Sequence, residues 1–214
     1  MEMEVKLIAT SFAAQSTCAK AAAKCTGTRD PDRALRGAMA SGHESVAEHA
    51  TFTFEINNVS RVLLAQLTRH RIASFSVVSQ RYCRVTDATI VTPDTVVQRG
   101  WAEAFRIQAA NAVQLYQVMV EDGVPYEDAR YLLPQGITCD LIMTMNAREL
   151  RHFFALRCCS RAQWEIRELA DKMLAHCKRV APKLFADAGA GCMRGHCPEK
   201  RPCNNPRAKE KEDK

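Results

Sequence analysis

Hydrophobic and polar positions along the chain follow two periods. Apolar and polar residues alternate near residues 5, 51, 86 and 138, a pattern typical of half-buried strands. Elsewhere apolar residues recur at helical spacing, most clearly from Trp101 to Met119 and from Ile166 to Cys177. Strands and long helices in this mixture predict an α+β fold: a single domain with an antiparallel-rich β-sheet flanked by helices.

Residues with known positional preferences mark the ends of several helices. Asp32 is a candidate N-cap for a helix over 32–42, and Asn146 is one for a helix over 146–157. An apolar helical pattern over 59–70 leads into the most polar part of the chain. The long helix that starts near Trp101 is expected to be scaffold, with one apolar face that includes Leu115.

Composition limits the kinds of partner. The chain has 214 residues, of which 47% are hydrophobic and 25% charged, as expected for a globular protein with one substantial core. The formal net charge is +6, but no basic helix with interleaved aromatic residues indicates a nucleic-acid groove. No apolar run approaches the length of a membrane span, and Met1–Lys6 lacks the features of a secretory signal. We therefore expect a cytoplasmic protein without a nucleic-acid or membrane partner.

The ten cysteines indicate reduced thiols, because the chain lacks a secretory signal. Most lie in apolar patterns that are typical of core positions. We predict a main domain over 1–190 and a charged tail over 191–214. The tail offers four side chains that could bind a metal: Cys192, His196, Cys197 and Cys203. Their spacing is wider than in ordinary zinc sites, so we expect a loosely ordered or interface-docked tail, with 207–214 disordered.

The stretch 69–82 concentrates cationic residues and hydroxyls directly after the helical pattern. Guanidinium groups bind phosphates or carbonyl edges through paired hydrogen bonds, so the stretch is suited to anions. His70 lies between Arg69 and Arg71, and because neighbouring cations lower the pKa of an imidazole, we expect a neutral ring. The alternative is a basic helix end followed by a polar loop, which accounts for Arg69 and His70 but not for the residues after them.

The spacing of seven residues in this stretch resembles the signature of the flavin-dependent thymidylate synthases. They are Arg69, His70, Arg71, Ser74, Ser79, Arg81 and Tyr82. Further blocks extend the resemblance: a polar cluster over 42–49, Ala-Arg-Tyr-Leu-Leu-Pro over 129–134, and the capped helix over 146–157. The blocks stand in the family's order and together cover roughly 43–167.

The resemblance implies an enzyme, a methyltransferase that converts dUMP to dTMP by reductive methylation. Methylenetetrahydrofolate would supply the carbon, and FAD, reduced by NADPH, would supply the hydride. The resemblance also implies a homotetramer with active sites shared between subunits. Two alternatives stay open: a non-catalytic regulatory protein that binds nucleotide or flavin, and a metal-dependent phosphohydrolase built on His43 and Glu44.

The resemblance assigns flavin contacts to eight residues: His43, Ser45, Arg69, His70, Arg71, Asn146, Arg148 and His152. On this assignment Arg69 lies between the flavin and the nucleotide. The histidines and glutamates of 42–49 could instead bind a metal, but the spacing His-x5-His does not align two imidazoles on one helical face, and no metal is expected. Ser45 or Glu44 could also simply cap a helix start.

The resemblance assigns nucleotide contacts to seven residues: Gln66, Arg69, Ser79, Gln80, Arg81, Arg130 and Arg157. Of these, Arg157, Ser79 and Arg69 are the expected catalytic residues. From the residues alone, Gln66 could be a core amide that pairs within the protein, and Arg130 could form a surface ion pair with Glu127 or Glu121. Ser79 has no base in its local sequence, so we expect it to orient the pyrimidine rather than attack it.

Two residues depart from the family's pattern. Val77 stands where relatives often carry Glu or Gln that reaches the nucleotide, and His152 stands where many carry Asn. The first departure removes one polar contact from the expected site. The second changes how the edge of the flavin would be held.

Overall fold

The computed structural model describes residues 2–86, 89–195, 197–203 and 205–207. Its four strands form one antiparallel sheet in the order β1-β2-β4-β3. The strands are β1 (Glu4–Thr10), β2 (Thr51–Ser60), β3 (Ala73–Val77) and β4 (Thr138–Asn146). The helices are α1 (Ala14–Thr26), α2 (Pro31–Ala40), α3 (Arg61–Leu67), α4 (Asp94–Gln98), α5 (Ala102–Glu121), α6 (Tyr126–Ala129), α7 (Ala147–Arg157), α8 (Trp164–Val180) and α9 (Pro182–Phe185). Short 3-10 turns cover Glu44–His49, Arg130–Leu132 and Gly191–Arg194. The predicted α+β class, with an antiparallel sheet and helices around it, is confirmed.

The chain divides into two compact units, each assembled from separate segments. Unit 1 comprises the chain up to Glu4 together with Ile56–Arg69 and Ser76–Ile142. Unit 2 comprises Val5–Glu55, His70–Phe75 and the chain from Met143 onward. The polar stretch over 69–82 therefore contributes residues to both units. The boundary near residue 190 between a main domain and a tail stays a prediction.

In unit 1, the helix that leads to the polar stretch is shorter than its apolar pattern. Ser60 caps α3 by accepting a hydrogen bond from the Leu63 N–H at 3.0 Å, and the helix ends at Leu67. The predicted helix over 59–70 is too long because Val59 and Ser60 belong to strand β2. His70 consequently lies beyond the end of α3 and is not part of the apolar face of that helix.

Helix α5 is long, as predicted, but only one narrow side of it is buried. Its role as scaffold stays a prediction. Ala109, Val113 and Tyr116 are the buried residues of this helix. Trp101 and Leu115, which were predicted to share the buried face, are 66% and 50% exposed. Trp101 precedes the first helical residue, and Leu115 lies outside the face that the three buried residues define. Within the described residues, no helix is long and apolar enough to cross a membrane.

In unit 2, aromatic rings fix helix α7 in the core. Phe153 packs edge to face on Phe154 at 5.6 Å between centroids, and Phe154 packs on Phe185 at 6.0 Å. Helix α8 buries the apolar residues that its pattern predicted: Ile166, Leu169, Met173, Leu174 and Cys177. Because this packing holds α7, the backbone positions that bear its polar side chains are held as well.

The fourth strand is not where the alternating pattern near residue 86 predicted it. Residues 85–86 lie outside any strand, and 87–88 are outside the described part of the chain. Ile90 makes an isolated antiparallel bridge to Ile137. The strand is β3, inside the polar stretch itself, where half-buried apolar residues alternate with exposed serines over only five residues. A pattern of five residues among polar neighbours is too short to indicate a strand.

The N-cap of α2 lies two residues earlier than predicted. Asp30, not Asp32, accepts a hydrogen bond from the Arg33 N–H, at 3.0 Å. Pro31 occupies the first helical position, where its missing N–H costs nothing. The preference of proline for this position decides between the two aspartates.

The C-terminal segment is more ordered than its composition predicted. Arg207 forms an ion pair with Asp171 at 2.6 Å, so the disorder predicted from this residue onward is wrong for Arg207 itself. Ser160 Oγ donates a hydrogen bond to the Asn205 carbonyl at 2.8 Å. The charge that predicted disorder instead supplies a partner for an acid on α8. His196 and residues 208–214 lie outside the described residues.

Candidate functional site

The start of α7 places two predicted flavin residues in unit 2. Asn146 caps the helix, because its Oδ1 accepts a hydrogen bond from the Glu149 N–H at 2.8 Å. Arg148, on the first turn, forms an ion pair with Glu48 of the 3-10 turn. Both side chains of this pair are about half exposed, so the pair is weak and accessible to a ligand. The capping role of Asn146 was predicted, whereas the partner of Arg148 was not.

His70 lies at the centre of a polar chain in unit 2. The residue is only 5% exposed, and its Nδ1 lies 3.2 Å from Glu149 Oε1. On the other side of the ring, Arg157 Nε donates a hydrogen bond to His70 Nε2 at 3.2 Å. Since an arginine N–H can only donate, Nε2 must accept, and the ring proton therefore resides on Nδ1, facing the carboxylate. The chain Glu149–His70–Arg157 thus fixes one tautomer and the position of one guanidinium.

The electrostatics of this chain favour an uncharged imidazole. Burial lowers the pKa of His70 below its ordinary value of 6.5, and the Arg157 charge lowers it further, while hydrogen bonding to Glu149 opposes both. Burial also lowers the pKa of Arg157, although a guanidinium stays charged at any physiological pH. This environment agrees with the predicted neutral ring. The main cause of the lowered pKa is burial, however, and the cation that contributes is Arg157, not Arg69 or Arg71.

His152 adds a second imidazole to this region. Its ring centroid lies 5.9 Å from that of His70. Ligand atoms of His70, Glu149 and His152 all lie within 4.8 Å of one another, which is close enough for a shared metal ion. However, both ring nitrogens of His70 already have partners, and the positive charge of Arg157 lies against the ring. A cation gains little beside another cation, so the group is better suited to hydrogen bonding.

His43 and Ser45 line a separate cleft of unit 2. Both residues are exposed on or beside the 3-10 turn over Glu44–His49. The cleft has a volume of about 680 Å³, and Arg33 of α2 also lines it. The N-cap position of the turn is His43, and its side chain makes no capping hydrogen bond. The cap considered for Ser45 is therefore not observed. The structure therefore places these two predicted flavin residues together on an accessible surface.

An arginine that the sequence analysis did not single out holds this turn against α7. Arg151 is 1% exposed, and its Nε donates to Glu44 Oε1 at 2.9 Å. Its two Nη atoms donate to the Asp187 carboxylate at 2.7 and 3.1 Å, and Nη1 also donates to the Leu184 carbonyl at 2.7 Å. This buried cation is fully engaged, so it positions the segment that bears His43 and Ser45. No local pattern in the sequence indicated this role, because the two carboxylates that Arg151 contacts lie 107 and 36 residues away along the chain.

Arg71 is the remaining predicted flavin residue of unit 2. It directly follows His70 and precedes β3, and its side chain is exposed. An exposed guanidinium just before a strand can change its rotamer to bind an anionic ligand. The structure thus brings Glu149, His152 and Arg157 together around His70 and leaves Arg71 on the surface.

In unit 1, two predicted nucleotide residues line one cleft. Gln80 and Arg130 face a cleft of about 460 Å³ that Arg61 and Tyr131 also line. Arg130 Nε donates to the Glu127 carbonyl oxygen at 3.0 Å, so the surface ion pair considered for Arg130 is not what the structure shows. Arg61 was missed by the sequence analysis. Its Nη2 donates to the Val78 carbonyl at 2.8 Å, and within the described residues its Nε is buried without a hydrogen-bond partner.

Arg81 pairs with the acid that had been considered for Arg130. Its Nε lies 2.7 Å from Glu127 Oε2, and both side chains are about half exposed. The guanidinium also lies over the ring of Tyr82, 5.4 Å from its centroid. Solvent weakens such an ion pair, so a phosphate could compete for the guanidinium. The neighbouring Arg84 pairs with Glu121 at 2.6 Å in the same way.

Ser79 shapes the backbone that carries Arg81. Its Oγ accepts a hydrogen bond from the Arg81 N–H at 3.2 Å, and its carbonyl accepts from the Cys83 N–H at 2.9 Å. A side chain that closes its own turn in this way holds the following residues in place. The contact supports an orienting role for Ser79 in preference to a nucleophilic one.

The last two predicted residues of unit 1 lie at the end of α3. Gln66 is half-buried, and its amide nitrogen donates to the Val62 carbonyl at 3.4 Å within the same helix. Arg69 is exposed just beyond the helix, and its backbone N–H donates to the Gln66 carbonyl at 3.3 Å. Gln66 is therefore an amide that bonds within its own helix, and Arg69 is an exposed cation beside it.

Comparison with known proteins identifies the family. Residues 6–183 match the family described as thymidylate synthase complementing protein. A flavin-dependent thymidylate synthase of Geobacter sulfurreducens is 51% identical over 164 residues, which are 75% of this chain and 71% of the relative. Relatives of the same name from Sulfolobus acidocaldarius and Pyrococcus furiosus are 46% and 44% identical; the matched parts are 74% and 80% of this chain, and 62% and 74% of the relatives. The chain therefore belongs to the thymidylate synthase complementing protein family.

Proposed function

We propose that the protein is a flavin-dependent thymidylate synthase that converts dUMP to dTMP by reductive methylation. The observation that carries the proposal is Arg157, the arginine of the capped-helix block, which is half-buried and held by a buried, neutral His70. A guanidinium preorganised in this way is suited to stabilise charge that develops on a pyrimidine. The relatives' names support the same activity. No observation favours the regulatory or phosphohydrolase alternatives.

The residues of unit 2 fit FAD. Its diphosphate requires exposed cations, and Arg71 and Arg148 supply them. The resemblance assigns His70 to the flavin as well; because Glu149 and Arg157 engage both of its ring nitrogens, it would contact the flavin through its uncharged ring surface and not through a hydrogen bond. The cleft beside His43 and Ser45 has room for part of the dinucleotide. When bound, FAD supplies the hydride for the reaction, and NADPH restores its reduced state.

Residues of unit 1 would hold the nucleotide. Arg81 and Arg130 are the cations best placed on this unit to bind a phosphate or a uracil carbonyl, because Arg130 and Gln80 share a cleft and Arg81 has only a screened ion pair to exchange. Ser79 positions the Arg81 backbone and orients the base. Gln66 and Arg69 at the end of α3 complete the set, with Arg69 between the nucleotide and the flavin.

Three residues carry the catalytic roles in this proposal. Arg157 and Arg69 polarise the pyrimidine, so that its ring accepts the carbon unit of methylenetetrahydrofolate without a protein nucleophile. Ser79 orients the ring. Each active site is shared between the subunits of a homotetramer, as the resemblance to the family implies.

The proposal is tested by purifying the protein and measuring its visible absorbance together with dTMP formation from dUMP, methylenetetrahydrofolate and NADPH. A yellow protein that forms dTMP is expected. Arg157→Ala should lower kcat by about 10²–10³-fold with flavin still bound, the range for losing one preorganised charge-stabilising group. Arg99→Ala, which removes an exposed arginine after α4, should leave kcat unchanged. A wild-type protein that binds flavin and dUMP but forms no dTMP would contradict the proposal.

A further inference from the structure

Four of the ten cysteines line a single cavity of unit 2, which has a volume of about 460 Å³. They are Cys159, Cys192, Cys197 and Cys203. All four are partly exposed and none is in a disulfide. By contrast, Cys18, Cys139, Cys158 and Cys177 are buried as small core residues. The partly exposed thiols of the described chain are thus gathered at one place, although they come from two regions far apart in sequence.

The cavity is closed by the C-terminal segment, which packs on the loop between α7 and α8. Arg161 of that loop lies 3.3 Å from Glu199, and Ser160 Oγ donates to the Asn205 carbonyl. Arg207 pairs with Asp171 of α8 at 2.6 Å. After Arg194 the segment has no helix or strand in its described part, so few backbone hydrogen bonds hold it. Such a segment requires another source of stability to enclose a cavity.

We propose that Cys159, Cys192, Cys197 and Cys203 form a four-thiolate metal site that fastens the C-terminal segment to the end of α7. Thiolates are the soft ligands that proteins use for zinc and for iron–sulfur clusters, and four of them satisfy either group. The spacing Cys-x4-Cys-x5-Cys in the tail is wider than that of ordinary zinc pairs, and the fold supplies the fourth thiol from the α7–α8 loop. Sequence alone could not connect Cys159 with this set.

The separation of the thiols favours an iron–sulfur cluster over a single ion. Zn–S bonds of about 2.3 Å place the four sulfur atoms of a zinc site within about 4 Å of one another. Among the described residues, the one group of such side chains whose ligand atoms meet within 4.8 Å is His70, Glu149 and His152, so the thiols surround the cavity at greater distances. A [4Fe–4S] cubane spreads its cysteine ligands around a larger centre than a zinc ion does, so it requires less movement of the thiols toward one another. A zinc ion would require the segment to close around it.

The charges around the cavity suit a negatively charged thiolate centre. Two cations, Arg157 and Arg161, and one acid, Glu199, which pairs with Arg161, line it, so the lining is net positive. The Arg207 backbone N–H donates to Cys192 Sγ at 3.4 Å. Hydrogen bonds to sulfur and nearby cations stabilise such centres and set their potential. Cys203 Sγ–H donates to the Asn205 carbonyl at 3.4 Å, and metal binding would release this proton. The site would lie two residues from Arg157, so it would anchor the end of the helix that carries this residue.

The test is to purify the protein without oxygen and to measure iron, acid-labile sulfide and zinc per chain. We expect iron and sulfide in equal amounts, or zinc equimolar to the chain if the thiols close around one ion. Cys159→Ser and Cys197→Ser should each lose the metal, whereas Cys83→Ser, an exposed thiol of unit 1, should keep it. Absence of both metals in the wild type, or metal content unchanged in the Cys159 and Cys197 variants, would overturn the proposal.

Alkylation of the wild-type thiols provides a readout that does not depend on the folding of a variant. In the metal-loaded protein, Cys159, Cys192, Cys197 and Cys203 should resist an alkylating reagent that modifies Cys25 and Cys83, and a chelator should remove this protection. Mass spectrometry of the peptides measures each site. Equal modification of all six thiols before chelation, or disulfides among the four, would show that they do not bind a metal.

Discussion

His70 is the residue through which Glu149 acts on Arg157. Its ring is buried and both of its nitrogens are engaged, so protonation would set an added N–H at Nε2 against the N–H of Arg157. The sequence predicted a neutral ring from the adjacent arginines. The cation that contributes is instead 87 residues away, and no local pattern could reveal it. Glu149, three residues after its capping Asn146, could have been suspected as part of a helix start, but not as the partner of an imidazole.

The pH dependence of His70 follows from this environment. Because the folded-state pKa lies below 6.5, the unfolded chain binds more protons than the native protein just below that pH. The free energy of unfolding should therefore fall as the pH decreases through about 6.5 toward the lowered pKa. Glu149→Gln removes a carboxylate that raises the pKa, so it should lower the pKa further. Titration of the ring by NMR, assigned with His70→Gln, measures the pKa in both proteins, and urea unfolding at several pH values measures the stability. A pKa that rises in Glu149→Gln would contradict the assigned contacts.

Variants of Ser79 and Arg81 distinguish an orienting role of Ser79 from a nucleophilic one. Ser79→Ala removes the acceptor of the Arg81 N–H, and losing one such hydrogen bond should lower turnover by about tenfold. Arg81→Ala should weaken dUMP binding by about 10- to 100-fold, the effect of losing one charge-assisted hydrogen bond. Binding is measured by calorimetry and turnover by dTMP formation. Complete loss of turnover in Ser79→Ala with dUMP and flavin bound, or a covalent serine adduct in the wild type, would show that Ser79 is a nucleophile.

Helix α7 is the element that organises the predicted flavin residues. Its cap, length and ring packing were predictable, since Asn146 and the apolar residues that follow it are local signals. Strand β3 was not, because five alternating residues among serines and arginines give a weak pattern. The contacts that connect α7 to the 3-10 turn and to the residues after α9 were not predictable either. They depend on Arg151, whose partners are known only once the chain has folded.

Removal of Arg151 should destabilise the fold more than removal of any exposed ion pair. Arg151→Met removes the buried cation and its contacts with Glu44 and Asp187. Since Asp187 is half exposed and can be hydrated, we expect a loss of about 2–4 kcal/mol in the free energy of unfolding. Lys172→Ala, which removes an exposed ion pair with Glu168 on α8, should cost about 0.5 kcal/mol or less. Urea unfolding compares the two variants. Equal stability of both would show that the Arg151 network does not hold the fold.

At the scale of the whole molecule, the predicted site residues are divided between the two units of the chain. Arg81 belongs to unit 1 and Arg157 to unit 2. The class of fold was predictable because element periods are local, and the family was predictable because its signature is compact in sequence. The order of the C-terminal segment was not, because its contacts with Ser160 and Asp171 depend on the folded chain.

Shared active sites can be tested by mixing inactive subunits. Arg81→Ala and Arg157→Ala should each have little activity alone. If one site takes Arg81 and Arg157 from different subunits, unfolding and refolding the two variants together should restore part of the activity, since some mixed sites regain both arginines. Light scattering should show the same tetramer in all samples. No recovery, in a mixture shown by mass spectrometry to contain both chains in one assembly, would contradict shared sites built in this way.

The central claim is tested most directly by one turnover of the purified protein. The flavoprotein is reduced without oxygen, NADPH is removed, and dUMP and methylenetetrahydrofolate are added together. We predict that dTMP and tetrahydrofolate form in amounts equal to the reduced flavin, that flavin is reoxidised at the same rate, and that Arg157→Ala slows both while Arg99→Ala does not. Flavin that stays reduced in the wild type, with dUMP bound and no dTMP detected by mass spectrometry, would contradict the account.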